Sequence, residues 1–138
     1  MRKPLRIVND TNVWLSALYF LGKPAQVVHL IEERNLISVI SQPILNELKE
    51  KITLDFQTPT YAANGTISYI KSLSEFVSIQ GKDFGLRDSE DNMVLETALV
   101  GACNFLVTGD KDLLNLKKYN NLVILNPSQF LNQYSKNT

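Results

Sequence analysis

Acidic side chains dominate the segment from Asp88 to Asp112, where an acidic helix start, an apolar helix, a short apolar run and a second acidic turn follow one another. Carboxylates at both ends of such a unit repel one another, and a divalent cation with oxygen ligands relieves that repulsion. The spacing also suits helix capping, because Asp88 and Asp91 lie three residues apart and Asp110 precedes an apolar turn. The segment alone leaves metal binding and helix capping both open.

Two more acidic residues are predicted at the same edge of a sheet. Asp10 follows the apolar run that ends at Val8, and Glu47 lies a few residues into the helix after the run that ends at Ile40. In parallel α/β sheets, ligands bind beyond the carboxyl ends of the strands, where the strand order reverses. The residues expected to face one cleft there are Asp10, Glu47, Asp91 and Asp110.

A magnesium or manganese ion is the expected occupant of such a cleft. Such an ion can lower the pKa of water, orient a phosphodiester and stabilise charge on its oxygens without a side-chain nucleophile. Imidazole chemistry lacks its parts, because the single histidine, His29, falls within a predicted helix far in sequence from every acidic turn. The sequence also contains no phosphate-binding P-loop and no dinucleotide fingerprint.

Each candidate also has an ordinary structural role. Asp10 and Asp110 stand where strands give way to helices, and aspartate is common there as a turn or capping residue. Glu47 taken alone is typical of a solvated helix glutamate. Local capping or turn bonding is at least as strongly indicated as a supporting role at the site for Asn12, Asp88, Thr108 and Asp112.

Alternating strands and helices position these residues. The strands are predicted at Leu5 to Val8, Leu36 to Ile40, Phe76 to Ile79, Asn104 to Thr108 and Leu122 to Leu125. Apolar residues on both faces predict a parallel sheet covered by helices on both sides. The helices are predicted at Val13 to Phe20 with Thr11 or Asn12 as cap, Ala25 to Arg34, Ser41 to Lys51, Thr60 to Glu75, Ser89 to Ala102, Lys111 to Leu116, and Asn126 to Tyr134.

The composition predicts one domain that spans residues 1–138 and contains a substantial core. Basic and acidic residues number 14 each, which argues against a dedicated basic nucleic-acid module, so any polyanion must be held locally. A single cysteine excludes an internal disulfide framework. No apolar run approaches the roughly twenty residues that cross a bilayer, and no signal peptide is visible. We expect a cytoplasmic protein without a membrane partner.

Sequence blocks along the whole chain resemble those of the PIN-domain family. Asp10-Thr11-Asn12-Val13 resembles the family's opening D-T-N-V motif, and S-Q-P-I-L-N-E-L-K-E resembles the segment that carries its glutamate, here Glu47. D-S-E-D-N and V-T-G-D-K-D-L-L resemble the last two acidic blocks. The closing L-N-P-S-Q-F-L is similar to the ending of a prokaryotic branch of toxins from toxin–antitoxin pairs. Asn9 departs from the pattern, because the family usually has an apolar residue there.

The resemblance implies a three-layer α/β/α sandwich with a five-stranded parallel sheet. It also implies an endoribonuclease that depends on Mg²⁺ or Mn²⁺, in which water attacks the scissile phosphorus in line and leaves a 3′-hydroxyl and a 5′-phosphate. An RNA substrate, an antitoxin protein and a homodimer are the partners that it suggests. Matched by position, the four acidic places fall on Asp10, Glu47, Asp91 and Asp110, the auxiliary carboxylates on Asp88 and Asp112, and the polar support on Asn12 and Thr108.

Two other functional classes remain open at this stage. One is a non-catalytic PIN-like module that binds RNA or a protein. The other is an aspartyl-phosphate domain with Asp10 as nucleophile. A phosphatase of that type needs a second aspartate where Asn12 stands, and a response receiver needs an aspartate near Ile79 and a lysine near Asn126. The sequence therefore disfavours both kinds of aspartyl-phosphate domain.

Overall fold

A mixed sheet flanked by helices forms the framework of the protein in a computed structural model that describes residues 3–136. The strands of this part of the chain are β1 (Leu5–Asn9), β2 (Leu36–Ile40), β3 (Ser74–Phe76), β4 (Phe105–Val107), β5 (Lys118–Tyr119) and β6 (Leu122–Leu125). The helices are α1 (Thr11–Tyr19), α2 (Gly22–Glu32), α3 (Gln42–Leu54), α4 (Thr60–Ser72), α5 (Ser89–Val100), α6 (Lys111–Leu116) and α7 (Pro127–Lys136).

The sheet has the order β3-β2-β1-β4-β6-β5, and the pairings from β3 to β6 are all parallel. These five strands confirm the predicted parallel sheet. The sixth strand within residues 3–136, β5, pairs antiparallel with β6 and adds a short edge to the sheet. Asn120 adopts a positive φ of 53° between the two strands, a conformation that asparagine tolerates well in tight turns.

Helices cover both faces of the central strands. Ile7 and Val8 of β1 are fully buried, as are Leu106 and Val107 of β4. Because successive residues of a strand point to opposite faces, such pairs require apolar cover on each side. Helix α5 packs on β1, β2 and β4, while α2 contacts β2 and also packs against α1 and α7. These helices and the parallel sheet confirm the α/β/α sandwich.

The predicted position of the third strand is wrong. The apolar residues of Phe76 to Ile79 indicated it, but β3 spans Ser74–Phe76 and pairs in parallel with the end of β2. The hydroxyls of Ser38 and Ser74 lie 2.9 Å apart, so a polar contact between strands contributes to this register. Helix α4 accordingly ends at Ser72 and not at Glu75.

Two further helix boundaries differ from the prediction. Helix α2 begins at Gly22 and not at Ala25, and its first turn contains Pro24, whose missing N–H costs little at a helix start. Helix α3 continues to Leu54, past the predicted end at Lys51. Within residues 3–136, no helix is long and apolar enough to cross a membrane.

Candidate metal centre

A small pocket of about 40 Å³ lies at the carboxyl ends of β1 and β4. The strand order reverses between these strands, because the chain proceeds from β1 to β2 on one side and from β4 to β6 on the other. The Asp10 N–H donates to the Val107 carbonyl at 3.0 Å and joins the two strand ends. The carboxylate residues of the described chain that line the pocket are Asp10, Glu47, Asp88, Glu90, Asp91 and Asp110.

Asp10 is the N-cap of α1, so the prediction of Thr11 or Asn12 as the cap is wrong. Its Oδ1 accepts a hydrogen bond from the Val13 N–H at 2.9 Å. Helix α1 starts only two residues after β1 ends, which leaves Asp10 in the extended conformation that an N-cap requires. Asn12 still lines the pocket, from the first turn of the helix.

Thr108 holds the aspartates of two strand ends in place. Its side chain is fully buried, and its hydroxyl donates to Asp10 Oδ2 while Oγ1 accepts from the Asp110 N–H at 3.0 Å. Asp110 is in turn the N-cap of α6, where its Oδ1 accepts from the N–H groups of Asp112 and Leu113 at 2.9 and 3.2 Å. Burial raises the pKa of Asp10, and the hydrogen bond from Thr108 opposes that rise.

Asp91 is a buried carboxylate of the pocket whose pKa is raised well above its ordinary value. It lies in the first turn of α5 and is 7% exposed, and its Oδ2 has no hydrogen-bond partner in the described chain. Burial, together with the negative charges of Asp110 and Asp88, raises its pKa from the ordinary 3.8 to about 7. Such a group holds a proton near neutral pH in place of a cation.

Asp88 and Asp112 occupy the flanks of this cluster. Asp88 is the N-cap of α5, as one of its two predicted roles required, and its Oδ1 accepts from the Glu90 N–H at 2.9 Å while the residue also lines the pocket. Carboxylate oxygens of Asp91, Asp110 and Asp112 all lie within 4.8 Å of one another. Both Asp112 oxygens also accept from Arg87 Nη2, at 2.8 and 3.0 Å, in a neighbouring pocket.

The opposite side of the pocket is formed by Glu47 and Glu90. The Glu47 side chain is 10% exposed, and its Oε1 lies 3.3 Å from Lys51 Nζ, one helical turn further along α3. Burial, followed by the charge of Glu47, raises the pKa of Glu90. The sequence analysis missed Glu90 as a site residue. Its place in the D-S-E-D-N block was visible, but a glutamate in the first turn of a helix is favoured for any helix.

The donor set fits a hard divalent cation. The lining acids offer only oxygen ligands, as Mg²⁺ and Mn²⁺ prefer, and the buried Oδ2 of Asp91 and Oγ1 of Thr11 both lack a partner within residues 3–136. His29 takes no part, because its side chain is 68% exposed on α2 and lines a separate groove.

The α/β/α sandwich places an acidic pocket where the strand order reverses, the usual ligand position in such sheets. A family model described as PIN domain matches residues 6–112, and the chain belongs to that family, which confirms the resemblance seen in the sequence. PIN domains are generally nucleases, which supports hydrolase chemistry at a coarse level, and they typically use divalent metal ions. The chain is also similar to Uncharacterized protein MJ1680 of the archaeon Methanocaldococcus jannaschii, with 29% identity over an alignment of 147 positions that spans 96% of this chain and 93% of the relative.

Proposed function

We propose that this PIN domain protein is an endoribonuclease that depends on Mg²⁺ or Mn²⁺ and hydrolyses phosphodiester bonds of RNA. One observation carries the proposal: Asp91 buries a carboxylate oxygen without a partner in residues 3–136, inside a pocket lined by further carboxylates. Buried carboxylates that repel one another lower the stability of the folded state unless a bound ligand compensates for the repulsion. A divalent cation would satisfy the unpaired oxygen and offset the repulsion.

The ion would be held by Asp10, Glu47, Asp91 and Asp110, all of which line the pocket. When bound, it supplies the Lewis acidity that lowers the pKa of water and stabilises charge on phosphate oxygens. Thr108 keeps Asp10 oriented through its hydroxyl, so the pocket needs little rearrangement. Asp91, whose pKa is raised to about 7, would give up its proton in favour of a bound cation, which would stabilise the ionised carboxylate. The expected products are a 3′-hydroxyl and a 5′-phosphate.

Positive charge beside the pocket supports a phosphate backbone as substrate. Arg87 is held by Asp112 through three hydrogen bonds, yet its side chain is 86% exposed. It lines a cleft with Lys111 that also includes Asn12 and Asp110 of the acidic pocket. Guanidinium groups bind phosphates through paired N–H donors, so this cleft provides the local attraction that a chain of zero net charge lacks as a whole.

Cleavage by purified variants tests the proposal. Asp10→Asn and Asp91→Asn each remove one charged ligand from the pocket, and both should abolish Mn²⁺-dependent cleavage of RNA while the circular dichroism spectrum stays native. Glu50→Gln, on the exposed side of α3, is the matched control and should cleave like the wild type. Unchanged manganese-dependent cleavage by both aspartate variants would refute the assignment.

A non-catalytic PIN-like module that binds RNA or a protein is the competing function. Calorimetric titration with Mn²⁺ separates the two, because a nuclease of the proposed kind must bind the ion. Absence of binding at millimolar Mn²⁺ would favour the module. Binding that Asp91→Asn abolishes would favour the nuclease.

The proposal includes the role of toxin in a toxin–antitoxin pair, with a protein antitoxin as partner and a homodimer as the assembly. Expression of the chain alone should then arrest growth, and Asp10→Asn should relieve the arrest. Coexpression of the product of a small neighbouring open reading frame should also relieve it. Sedimentation analysis of the purified chain tests the dimer.

A further inference from the structure

Lys51 places a positive charge at the edge of the acidic pocket. It follows Glu47 by one turn of α3, so both side chains project from the same side of the helix. Lys51 Nζ lies 3.3 Å from Glu47 Oε1 and 3.4 Å from Asn12 Oδ1. The lysine side chain is only 28% exposed. The ammonium is therefore held between α3 and the start of α1.

The carboxylates of the pocket divide into two groups according to the neighbouring charges that act on them. Burial is the largest cause of the raised pKa of both Asp91 and Glu90; after it, the charges of Asp110, Asp88 and Asp10 act on Asp91, and the charge of Glu47 acts on Glu90. Lys51 acts on the second group, because its positive charge opposes the effect of Glu47 on Glu90. Lys51 is thus the positive charge beside Glu47 and Glu90, whereas Arg87 is paired with Asp112 and acts on Asp110.

We propose that the Lys51 ammonium occupies the second cation position of the pocket, beside Glu47 and Glu90, so that the protein binds a single divalent ion. The inference rests on the proposed metal-dependent function. Glu47 would serve both positions, because its Oε1 contacts Lys51 and the same carboxylate lines the acidic pocket. A second divalent ion beside Glu47 would lie against the ammonium, which both fills the space and repels it.

Counting bound Mn²⁺ by calorimetry and by electron paramagnetic resonance tests this assignment without any cleavage assay. The wild type should bind one ion, and Lys51→Met, which keeps the length of the side chain but removes its charge, should bind two. Lys51→Gln is a second neutral variant in case the methionine variant does not fold. Lys51→Arg keeps the charge and should bind one ion. Lys49→Met, which removes an exposed charge from the same helix, should also bind one.

Two bound ions in the wild type would overturn the inference. It would also be overturned if the folded neutral variants of Lys51 bound only one ion, whatever their affinity for Mn²⁺. The outcomes separate this inference from the function on which it rests. No bound Mn²⁺ in the wild type refutes the metal-dependent function and the role of Lys51 together. One ion in both the wild type and Lys51→Met refutes only the role of Lys51.

Discussion

Replacing Asp91 by asparagine should stabilise the metal-free protein, although the same change should abolish its activity. The reason is the cost of an ionised carboxylate at this position, since burial first, and then the charges of Asp110 and Asp88, raise the pKa of Asp91 to about 7. The folded state therefore binds more protons than the unfolded state between the ordinary value of 3.8 and about 7. By linkage, the free energy of unfolding of the wild type falls as the pH rises through this window.

The size of the effect follows from the rise in pKa. The change from 3.8 to about 7 corresponds to about 4 kcal/mol at alkaline pH, because one pKa unit represents about 1.4 kcal/mol. Solvent at the mouth of the pocket screens part of the repulsion, so we expect a gain of about 2–4 kcal/mol for Asp91→Asn at pH 8. For a chain of this size that gain corresponds to a rise in Tm of roughly 6–12 °C.

Urea unfolding in EDTA provides the measurement, with the fluorescence of the buried Trp14 as the probe. The advantage of Asp91→Asn over the wild type should grow between about pH 4 and pH 7 and stay constant above that range. Mn²⁺ should stabilise the wild type and leave Asp91→Asn unchanged, because only the wild type binds the ion. The Glu50→Gln control should follow the wild type in both buffers. An asparagine variant that is no more stable than the wild type at pH 8 in EDTA would refute the reasoning.

Three other substitutions probe the supports of the pocket. Thr108→Val removes the hydroxyl that donates to Asp10, so it should lower the free energy of unfolding in urea by about 1–3 kcal/mol. It should also raise the pKa of Asp10 further. Measurement of Mn²⁺ affinity as a function of pH should then show weaker binding at low pH. Glu96→Gln should lower the free energy of unfolding by about 2–3 kcal/mol, because the Glu96 carboxylate accepts hydrogen bonds from three backbone N–H groups of the loop before α5 at 2.8–2.9 Å. Amide hydrogen exchange in residues 80–82 should become faster. Unchanged protection there would contradict the role of Glu96 in holding the loop. Gly101→Ala should cost about 1–3 kcal/mol of thermal stability, because an added Cβ would lie 2.5 Å from Val39 Cγ1; a neutral result would mean that the helix end can shift.

Local sequence patterns predicted those parts of the fold that local physics determines. The branched residues from Leu36 to Ile40 predicted β2 with its observed bounds. Asn126 and Gln129 predicted the start of α7, where each side chain accepts the backbone N–H of the other, at 2.8 and 3.0 Å. Such signals are readable because all the interacting groups lie within one helical turn of the chain.

Features that depend on distant segments were missed. Strand β3 is set by pairing of Ser74 with Ser38, and no apolar pattern marks its two polar residues. The two residues of β5 are too few to show an alternation of faces. Glu90 became a site residue only because α3 brings Glu47 beside it. Sequence spacing cannot reveal the contact between α3 and α5, because a further helix and a strand separate them in the chain.

The sequence left open whether these aspartates cap helices or bind a metal ion, but in this pocket the two roles are compatible. Asp10, Asp88 and Asp110 are each the N-cap of a helix, and in each the capping bonds are accepted by Oδ1. A cap therefore fixes the carboxylate through one oxygen, and in Asp10 the second oxygen accepts from Thr108; the positive end of the helix dipole offsets part of the charge. Asp91 is not a cap and has no bond from a backbone N–H in the described chain to support its ionised form. Burial raises the pKa of Asp10 as well, but there the hydrogen bonds from Thr108 and the Val13 N–H oppose the rise, whereas no such bond lowers the pKa of Asp91, which reaches about 7.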